Sequence, residues 1–377
     1  MCLVMTDVII VKFFLMSQVK ALASEYELTL VCSAGGQEEV RRIGVSARVL
    51  NITIPRGIEP YRDCLALFKL LGLFARCRFD IVQSYTTKAG MLAMMAAFLM
   101  RVPVRVHWFL GQVWATKTGV YRAMLRLCDV LTSRLATSIL VDSASQLAFL
   151  VAEGVTSPPK AKVLAHGSIC GVDCDRFSAD PALRANFREH YAIPPNHFLF
   201  LYMSRFTVDK GAMEMAKAYA ICAPECPDST LVMVGPDEED LLPSIRSVLA
   251  KHLDRVHFHG FTSRPEFYFA GADALCLPSF REGFGLVLLN AAASGLPSLG
   301  SRIYGIVDAV VDGETGLLHT PGDTEQLAAN MIRLYRGREL CRELGRNGRL
   351  RAVNLFSSSL LDEAVVRHYR ALVTGRS

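Results

Sequence analysis

A chain of 377 residues exceeds what one ordinary hydrophobic core encloses and suits two domains of roughly 150–200 residues each. Hydrophobic residues make up 51% of it and charged residues 20%, which excludes a disordered chain. The net charge of +5 conceals an asymmetry: roughly 19 basic residues stand against 11 acidic ones through Cys170, whereas the remainder is slightly acidic.

The first elements are an apolar run at 2–6 and a second at 8–16, followed by Ala21-Leu22-Ala23, which imitates a signal-peptidase site. Asp7, not a cation, precedes the second run and Lys12 interrupts it, so the pattern reads as a first strand entering a first helix. Short β-branched runs then recur at 28–32, 48–54, 80–85, 104–109, 139–142 and 162–165, separated by helical patterns at 14–24, 61–76, 89–100 and 120–136. Strands without apolar/polar alternation, each followed by a helix, specify a parallel doubly wound sheet. Within the second helical pattern, Arg62, Lys69 and Arg76, with Arg56 and Arg78 beside them, lie among Leu65, Leu67, Phe68, Leu70, Leu71, Leu73 and Phe74. Two readings fit: a helix lying on an anionic membrane surface, or a core helix with solvated arginines. The longest apolar run, 91–100, is half the roughly 20 residues that a bilayer span needs.

A polar segment at 171–181, GVDCDRFSADP, reads as a hinge that ends a first domain at 1–175 and opens a second at 176–356. The second domain repeats the architecture, with strands expected at 198–203, 230–234, 256–261, 274–278 and 297–300. A serine-capped helix in 357–377 is expected to return to the first domain. The fold class is therefore α/β, two Rossmann-like doubly wound parallel sheets, with a ligand cleft expected at the carboxyl ends of their strands. The eleven cysteines contain no CxxC pair, the closest spacings being Cys170/Cys174 and Cys222/Cys226, and read as free thiols of a reducing, cytoplasmic compartment.

The segment 278–320 carries the densest chemistry. A strand enters the loop Glu282-Gly283-Phe284-Gly285 and then a helix at 286–293 that stops at Gly295 and Pro297. Glycine allows close backbone approach, and a first helical turn offers unpaired N–H groups at the positive end of the dipole, so Gly283, Phe284, Gly285 and Leu286 form a phosphate site. Asn290 lies roughly 9 Å further along the axis at about 1.5 Å per residue, within reach of ribose hydroxyls. Arg205 and Lys210, after the strand at 198–203, supply charge for a diphosphate, the arginine as a two-pronged donor and the lysine as a point charge. Asp173-Cys174-Asp175 spells a DxD triplet but falls in the hinge, and no other cluster has metal-ligand spacing. No GxGxxG follows the first strand of either domain, which disfavours a nicotinamide dehydrogenase.

The segments TTKAG (86–90), HWFLGQVWATKTG (107–119), SRFTVDKG (204–211), PSFREGFGLVLL (278–289), AAASGLP (291–297) and AVVDGETGLL (309–318), in this order, resemble the retaining glycosyltransferases of family 4. The likeness spans nearly the whole chain and is strongest to bacterial members that build capsule, O-antigen or other lipid-linked saccharides. It implies the two-domain GT-B fold and transfer of a hexose or N-acetylhexosamine from a nucleotide diphosphate sugar, uridine being the family's usual base, to a lipid-linked or polysaccharide acceptor. It implies that Arg205 and Lys210 clamp the diphosphate, that the amides of Gly283–Leu286 take its distal phosphate, and that Glu282, the first glutamate of the family's E-x7-E motif, contacts the sugar. His107 matches the histidine lining the sugar pocket. No cofactor, metal or nucleic-acid partner is expected, and peripheral contact with the membrane's inner face is one of the two readings of the basic helical stretch at 61–76. The second motif glutamate is replaced by Asn290, which lacks a carboxylate's charge-assisted acceptance, and the first strand's exit lacks the glycine-rich loop of many relatives. Two alternatives remain open: a nucleotide-sugar 2-epimerase of the same architecture, and a degenerate scaffold in a glycan-assembly complex.

Overall fold

The computed structural model describes residues 1–375 apart from Ile9, Ala34, Ile43, Arg56 and Ile58; Arg56, one cation of the basic stretch, thus lies outside the described residues. The chain divides into two compact units, one of Met1–Gly171 with Ser358–Ser377, the other of Val172–Ser357.

The first unit holds seven strands: β1 Cys2–Val4, β2 Leu28–Cys32, β3 Ala47–Asn51, β4 Ile81–Tyr85, β5 Val104–Phe109, β6 Ser138–Val141 and β7 Ala161–Val163. All pair in parallel, in the order β3-β2-β1-β4-β5-β6-β7. The second unit holds β8 Phe198–Met203, β9 Ser229–Val234, β10 Val256–His259, β11 Ala274–Leu277, β12 Ser298–Ser301 and β13 Gly316–His319, also parallel, ordered β10-β9-β8-β11-β12-β13. Runs such as FLFLYM in β8 and STLVMV in β9 are apolar along nearly their whole length because helices cover both faces of the sheet. The order reverses between β1 and β4 and between β8 and β11, and at such switch points the flanking loops part at the carboxyl edge. β13 is absent from the sequence expectation. Its apolar core is only Leu317-Leu318, too short to register beside the DGETG turn that precedes it.

The N-terminal apolar run is the middle of a sheet: β1 pairs with β2 on one side and β4 on the other. The helix Met16–Ala23 that follows is covered by the C-terminal helix Ser358–Thr374, whose Leu361, Val365 and Tyr369 are buried. Ser17 Oγ lies 3.4 Å from Asp362, and Arg370 pairs with Glu25 at 2.6 Å. The segment read as a hinge is mostly part of the second unit. Val172 and Phe177 are buried in its core, Arg176 pairs with Glu266 at 2.8 Å, and the amide of Val172 donates to Phe356 O at 2.8 Å. The division therefore falls at Gly171/Val172, a few residues before the boundary read from the sequence, because an aromatic anchor outweighs the surrounding polar composition. Asp173 Oδ1 accepts the amides of Asp175 (3.2 Å) and Arg176 (3.0 Å), so the DxD triplet closes a local turn.

All eleven cysteines are free thiols, Cys222 and Cys226 lying 3.4 Å apart. Among the described residues no helix is long and apolar enough to cross a membrane.

Two buried tryptophans of the first unit anchor on carboxyls. Trp108 Nε1 donates to Asp142 (2.9 Å) and Trp114 Nε1 to Asp129 (2.7 Å). Burial pushes Asp142 up to about 8 and Asp129 up to about 7. Asp129 Oδ1 has no partner among the described residues, so no hydrogen bond offsets ionisation there. A carboxyl whose folded pKa lies above its unfolded value stabilises fully below the unfolded value and loses that contribution as pH rises through the folded one. Asp129→Asn keeps the acceptor for Trp114 but cannot ionise. Between pH 5 and pH 8 the wild type is expected to lose stability relative to Asp129→Asn, on the order of 2 kcal/mol. Urea midpoints measured across that range check this, and parallel pH profiles would refute it.

Candidate functional site

The carboxyl edge of β8 and β11 brings together two loops far apart in sequence. After β8 the chain turns through Ser204–Arg205, makes one turn at Val208–Lys210, and enters the helix Ala212–Cys222. The buried Tyr202 hydroxyl sits beneath this turn and donates to Arg205 O (3.0 Å) and Lys210 O (3.2 Å), so both cationic residues are held by their own backbone carbonyls. Gly211 links turn to helix at φ +68°, and a Cβ there would lie 2.0 Å from Pro278 O. Only glycine permits both that dihedral and that approach. The Phe280 amide donates to Asp209 O (2.9 Å) and Arg281 pairs with Asp209 (3.2 Å), which clips the loop after β11 onto the loop after β8.

The result is a salt bridge within the seam. Lys210 Nζ lies 2.6 Å from Glu282 Oε1, with the two side chains only 15% and 13% exposed. Ser279 Oγ donates to the same oxygen at 3.0 Å. Beside this pair the chain passes Gly283, Phe284 and Gly285 and enters the helix Leu286–Ala293 from Gly285 at φ +78°, without a side-chain cap. The Phe284 ring turns into the core, its centroid 5.3 Å from that of Phe356, and Gly283 and Gly285 on either side of it are buried as well. Among the described residues the amides of Gly283, Phe284, Gly285 and Leu286 donate to no other group, leaving a row of orphan N–H groups at a positive helix end.

Arg205 lies at the outer side of the seam, 44% exposed, paired at 2.5 Å with Glu238 from the loop after β9. Asn290 is half-buried on the helix, and its side-chain amide makes no hydrogen bond among the described residues. Thus Lys210, Glu282 and Gly283–Leu286 are contiguous, with Arg205 on the same loop as Lys210. The sequence reading missed three contributors: Ser279, Glu238, and Gly305 of the loop after β12. At φ +82°, a Cβ on Gly305 would lie 2.5 Å from Gly283 O, so this third loop supports the glycine turn from the side. A glycine between a strand and a short helix, in SRIYGIV, was the available signal. Glu238, in the acidic run PDEED, carried none that distinguished it from solvated surface.

His107 requires a correction. Rather than lining an open pocket, it lies inside β5, in register with Ser84, at 0% exposure. Its Nδ1 is 2.8 Å from Ser84 Oγ, its ring stacks edge-on to Phe109 at 4.4 Å, and it fills the space left by Gly90, whose Cβ would lie 2.3 Å from the ring. Nε2 is buried without a partner among the described residues. Burial drives the imidazole down to about 3, so it is neutral at physiological pH. Among the described residues no group of three or more His, Cys, Asp or Glu side chains is arranged to hold a metal ion.

Comparison with known proteins covers both units. Residues 184–351 match the family model for glycosyl transferases group 1, and residues 12–167 match the model for the glycosyl transferase 4-like domain. The chain is 28% identical over 335 residues to the capsular polysaccharide biosynthesis glycosyltransferase CapM of Staphylococcus aureus, covering 85% of this chain and 84% of that protein. It is 25% identical over 347 residues to the UDP-Gal:alpha-D-GlcNAc-diphosphoundecaprenol alpha-1,3-galactosyltransferase of Escherichia coli, covering 88% and 86%. Among solved structures, Anabaena HepE in complex with UDP-glucose superposes with a TM-score of 0.82 at 19% identity, over 98% of this chain and 99% of that one, a likeness of fold.

Asn290 provides a direct test of the site's polarity. The resemblance assigns Asn290 to donor ribose hydroxyls, and on that expectation Asn290→Glu, which replaces a neutral acceptor by a charged one, tightens UDP binding roughly 5- to 30-fold, equivalent to about 1–2 kcal/mol. Calorimetric titration measures it, and an unchanged or weaker Kd would place Asn290 away from the ribose.

Proposed function

Because the chain belongs to the glycosyltransferases, its halves matching the 4-like and group 1 domains of that family within the GT-B fold, we propose that it transfers a hexose or N-acetylhexosamine from a UDP-sugar, with retention of anomeric configuration, to a lipid-linked or polysaccharide acceptor in surface-glycan assembly. The observation that carries this reading is the seam at the β8/β11 switch point. There a cationic loop and a row of unpaired amides adjoin one another at the edge where open α/β sheets bind ligands. The donor sugar and acceptor class are supported by what the relatives' names state: one acts in capsular polysaccharide biosynthesis, another on a diphosphoundecaprenol-linked sugar, and the structural neighbour holds UDP-glucose. In this reading the acceptor is carried at a membrane, which the chain meets from the cytoplasmic side as a peripheral protein.

The chemistry needs positive charge where the leaving diphosphate becomes more anionic as the glycosidic bond breaks. Lys210, Arg205 and the amides of Gly283–Leu286 supply it from preorganised positions, the arrangement that is worth most in a transition state. No divalent ion is required for that role. Lys210 already has a counter-charge in Glu282, so a diphosphate arriving at Lys210 enters a lysine–carboxylate pair and leaves Glu282 free to turn toward sugar hydroxyls. Arg205 must exchange Glu238 for the donor. Because that ion pair is solvent-exposed, its loss costs little. The acceptor hydroxyl then attacks from the face the diphosphate leaves, a diphosphate oxygen taking its proton.

Arg205 is exposed and can be removed without unfolding the unit. Arg205→Ala is expected to lower kcat for sugar transfer on the order of 100-fold, with the thermal midpoint unchanged and activity insensitive to EDTA in both proteins. Near-wild-type turnover by Arg205→Ala would remove it from the mechanism. Conversion of the UDP-sugar to an epimer in the absence of acceptor would replace transfer by isomerisation.

A further inference from the structure

The two oxygens of the Glu282 carboxylate are not equivalent. Oε1 accepts from Lys210 Nζ at 2.6 Å and from Ser279 Oγ at 3.0 Å. Oε2 accepts from no group among the described residues, and it is not one of the buried polar atoms left without a partner, so it lies on the accessible side of the seam. A carboxylate held through one oxygen by two donors presents the other as a single, oriented acceptor.

The two donors differ in what an arriving anion can do to them. Lys210 carries charge and is 15% exposed, and its ammonium also reaches Arg281 O at 3.4 Å. In the proposed reaction the diphosphate draws on that charge, and Lys210 then no longer belongs to Glu282 alone. Ser279 is neutral and 0% exposed, so a phosphate neither attracts its hydroxyl strongly nor reaches it. Its backbone is pinned on both sides: the preceding Pro278 O lies where Gly211 leaves no room for a side chain, and the following Phe280 amide donates to Asp209 O at 2.9 Å. Arg281, the cation between Ser279 and Glu282 in sequence, is turned to Asp209 at 3.2 Å. Once Lys210 engages the diphosphate, Ser279 is therefore the side-chain donor that keeps Glu282 Oε1 in place. Without its hydroxyl the carboxylate turns about its terminal bond, a broad and roughly two-fold torsion, and either oxygen can face the sugar.

We propose that Ser279 is a positioning residue for sugar transfer: it holds Oε1 of Glu282 while the donor is bound, so that Oε2 meets one hydroxyl of the transferred sugar and the site discriminates among sugars at that hydroxyl. This role rests on the transferase reading and goes beyond it, because it assigns part of the choice of sugar to a side chain that touches neither phosphate nor sugar. A site built to hydrogen-bond a substrate hydroxyl selects against sugars that misplace it, and the selection is only as sharp as the acceptor is fixed.

The test compares wild type with Ser279→Ala, Ser279→Cys and Ser279→Thr by calorimetric titration of UDP, UDP-glucose, UDP-galactose and UDP-N-acetylglucosamine. Release of UDP from each sugar nucleotide is measured in parallel. UDP carries no sugar, and its Kd is expected to stay within about twofold in every variant. For the sugar that wild type binds best, Ser279→Ala is expected to weaken binding about fivefold and to slow UDP release about tenfold, with smaller changes for the other sugars, so that selectivity narrows. Ser279→Cys, a weak donor in the same space, gives the same narrowing should Ser279→Ala not fold. Ser279→Thr keeps the hydroxyl and is expected to keep the wild-type preference. A role in folding alone would weaken UDP and every UDP-sugar by one factor, and that outcome overturns the proposal. So does a wild type without preference among the sugars, an unchanged preference in Ser279→Ala, or a lost one in a folded Ser279→Thr. Wild type that binds neither UDP nor any UDP-sugar overturns the donor reading itself, which separates that failure from the failure of Ser279 alone.

Discussion

The candidate site depends on one close approach. Gly211 sits so near Pro278 O that no side chain could be accommodated there, and this contact lets the turn after β8 lie directly on the loop after β11. Without it Lys210 would not reach Glu282, and the glycine turn leading into the helix Leu286–Ala293 would have no neighbouring cation. Two further glycines extend the same principle: Gly285 adopts a left-handed conformation to enter the helix, and Gly305 rests against Gly283 O. A seam assembled from backbone in this way is rigid. It stays specific through the few side chains admitted at its margin.

The two cations differ in how they are held. Lys210 is largely buried and hydrogen-bonded into the seam through Glu282, and the Tyr202 hydroxyl fixes its carbonyl, so its position is set before any ligand arrives. Arg205 is half in solvent: Tyr202 fixes its carbonyl too, but its guanidinium is paired with the exposed Glu238. The first is a fixed electrostatic wall. The second is a contact that can open and close at little cost.

In the first unit polar groups are buried rather than displayed. Two tryptophan–carboxyl pairs and the His107–Ser84 contact lie under the sheet's helices, where desolvation keeps the carboxyls toward their protonated forms and the imidazole neutral. On the outer side of the helices Pro60–Cys77 and Gly119–Leu135, valine, leucine, methionine and aromatic side chains are exposed beside cations.

Much of this architecture was legible in the sequence, because β-branched runs punctuated by amphipathic segments follow from local hydrogen-bond geometry and buried sheet faces. The second parallel sheet, the bounds of the helix Leu286–Ala293 and the glycine turn before it are properties of neighbouring residues, and they appear where the pattern puts them. Direction was not legible. Strand β5 alternates Arg105 and His107 on one face with Val106 and Trp108 on the other, but both faces are buried from Val106 onward, so the pattern alone does not reveal what His107 meets, and tertiary contact sets its ring against Gly90. The helix Pro60–Cys77 likewise has leucines around much of its circumference. Which of them are core and which are exposed was decided by the helix packed beside it. Chain-local pattern determined which elements form, and tertiary contact determined which way each side chain faces, since a side chain's environment is made by residues distant in sequence.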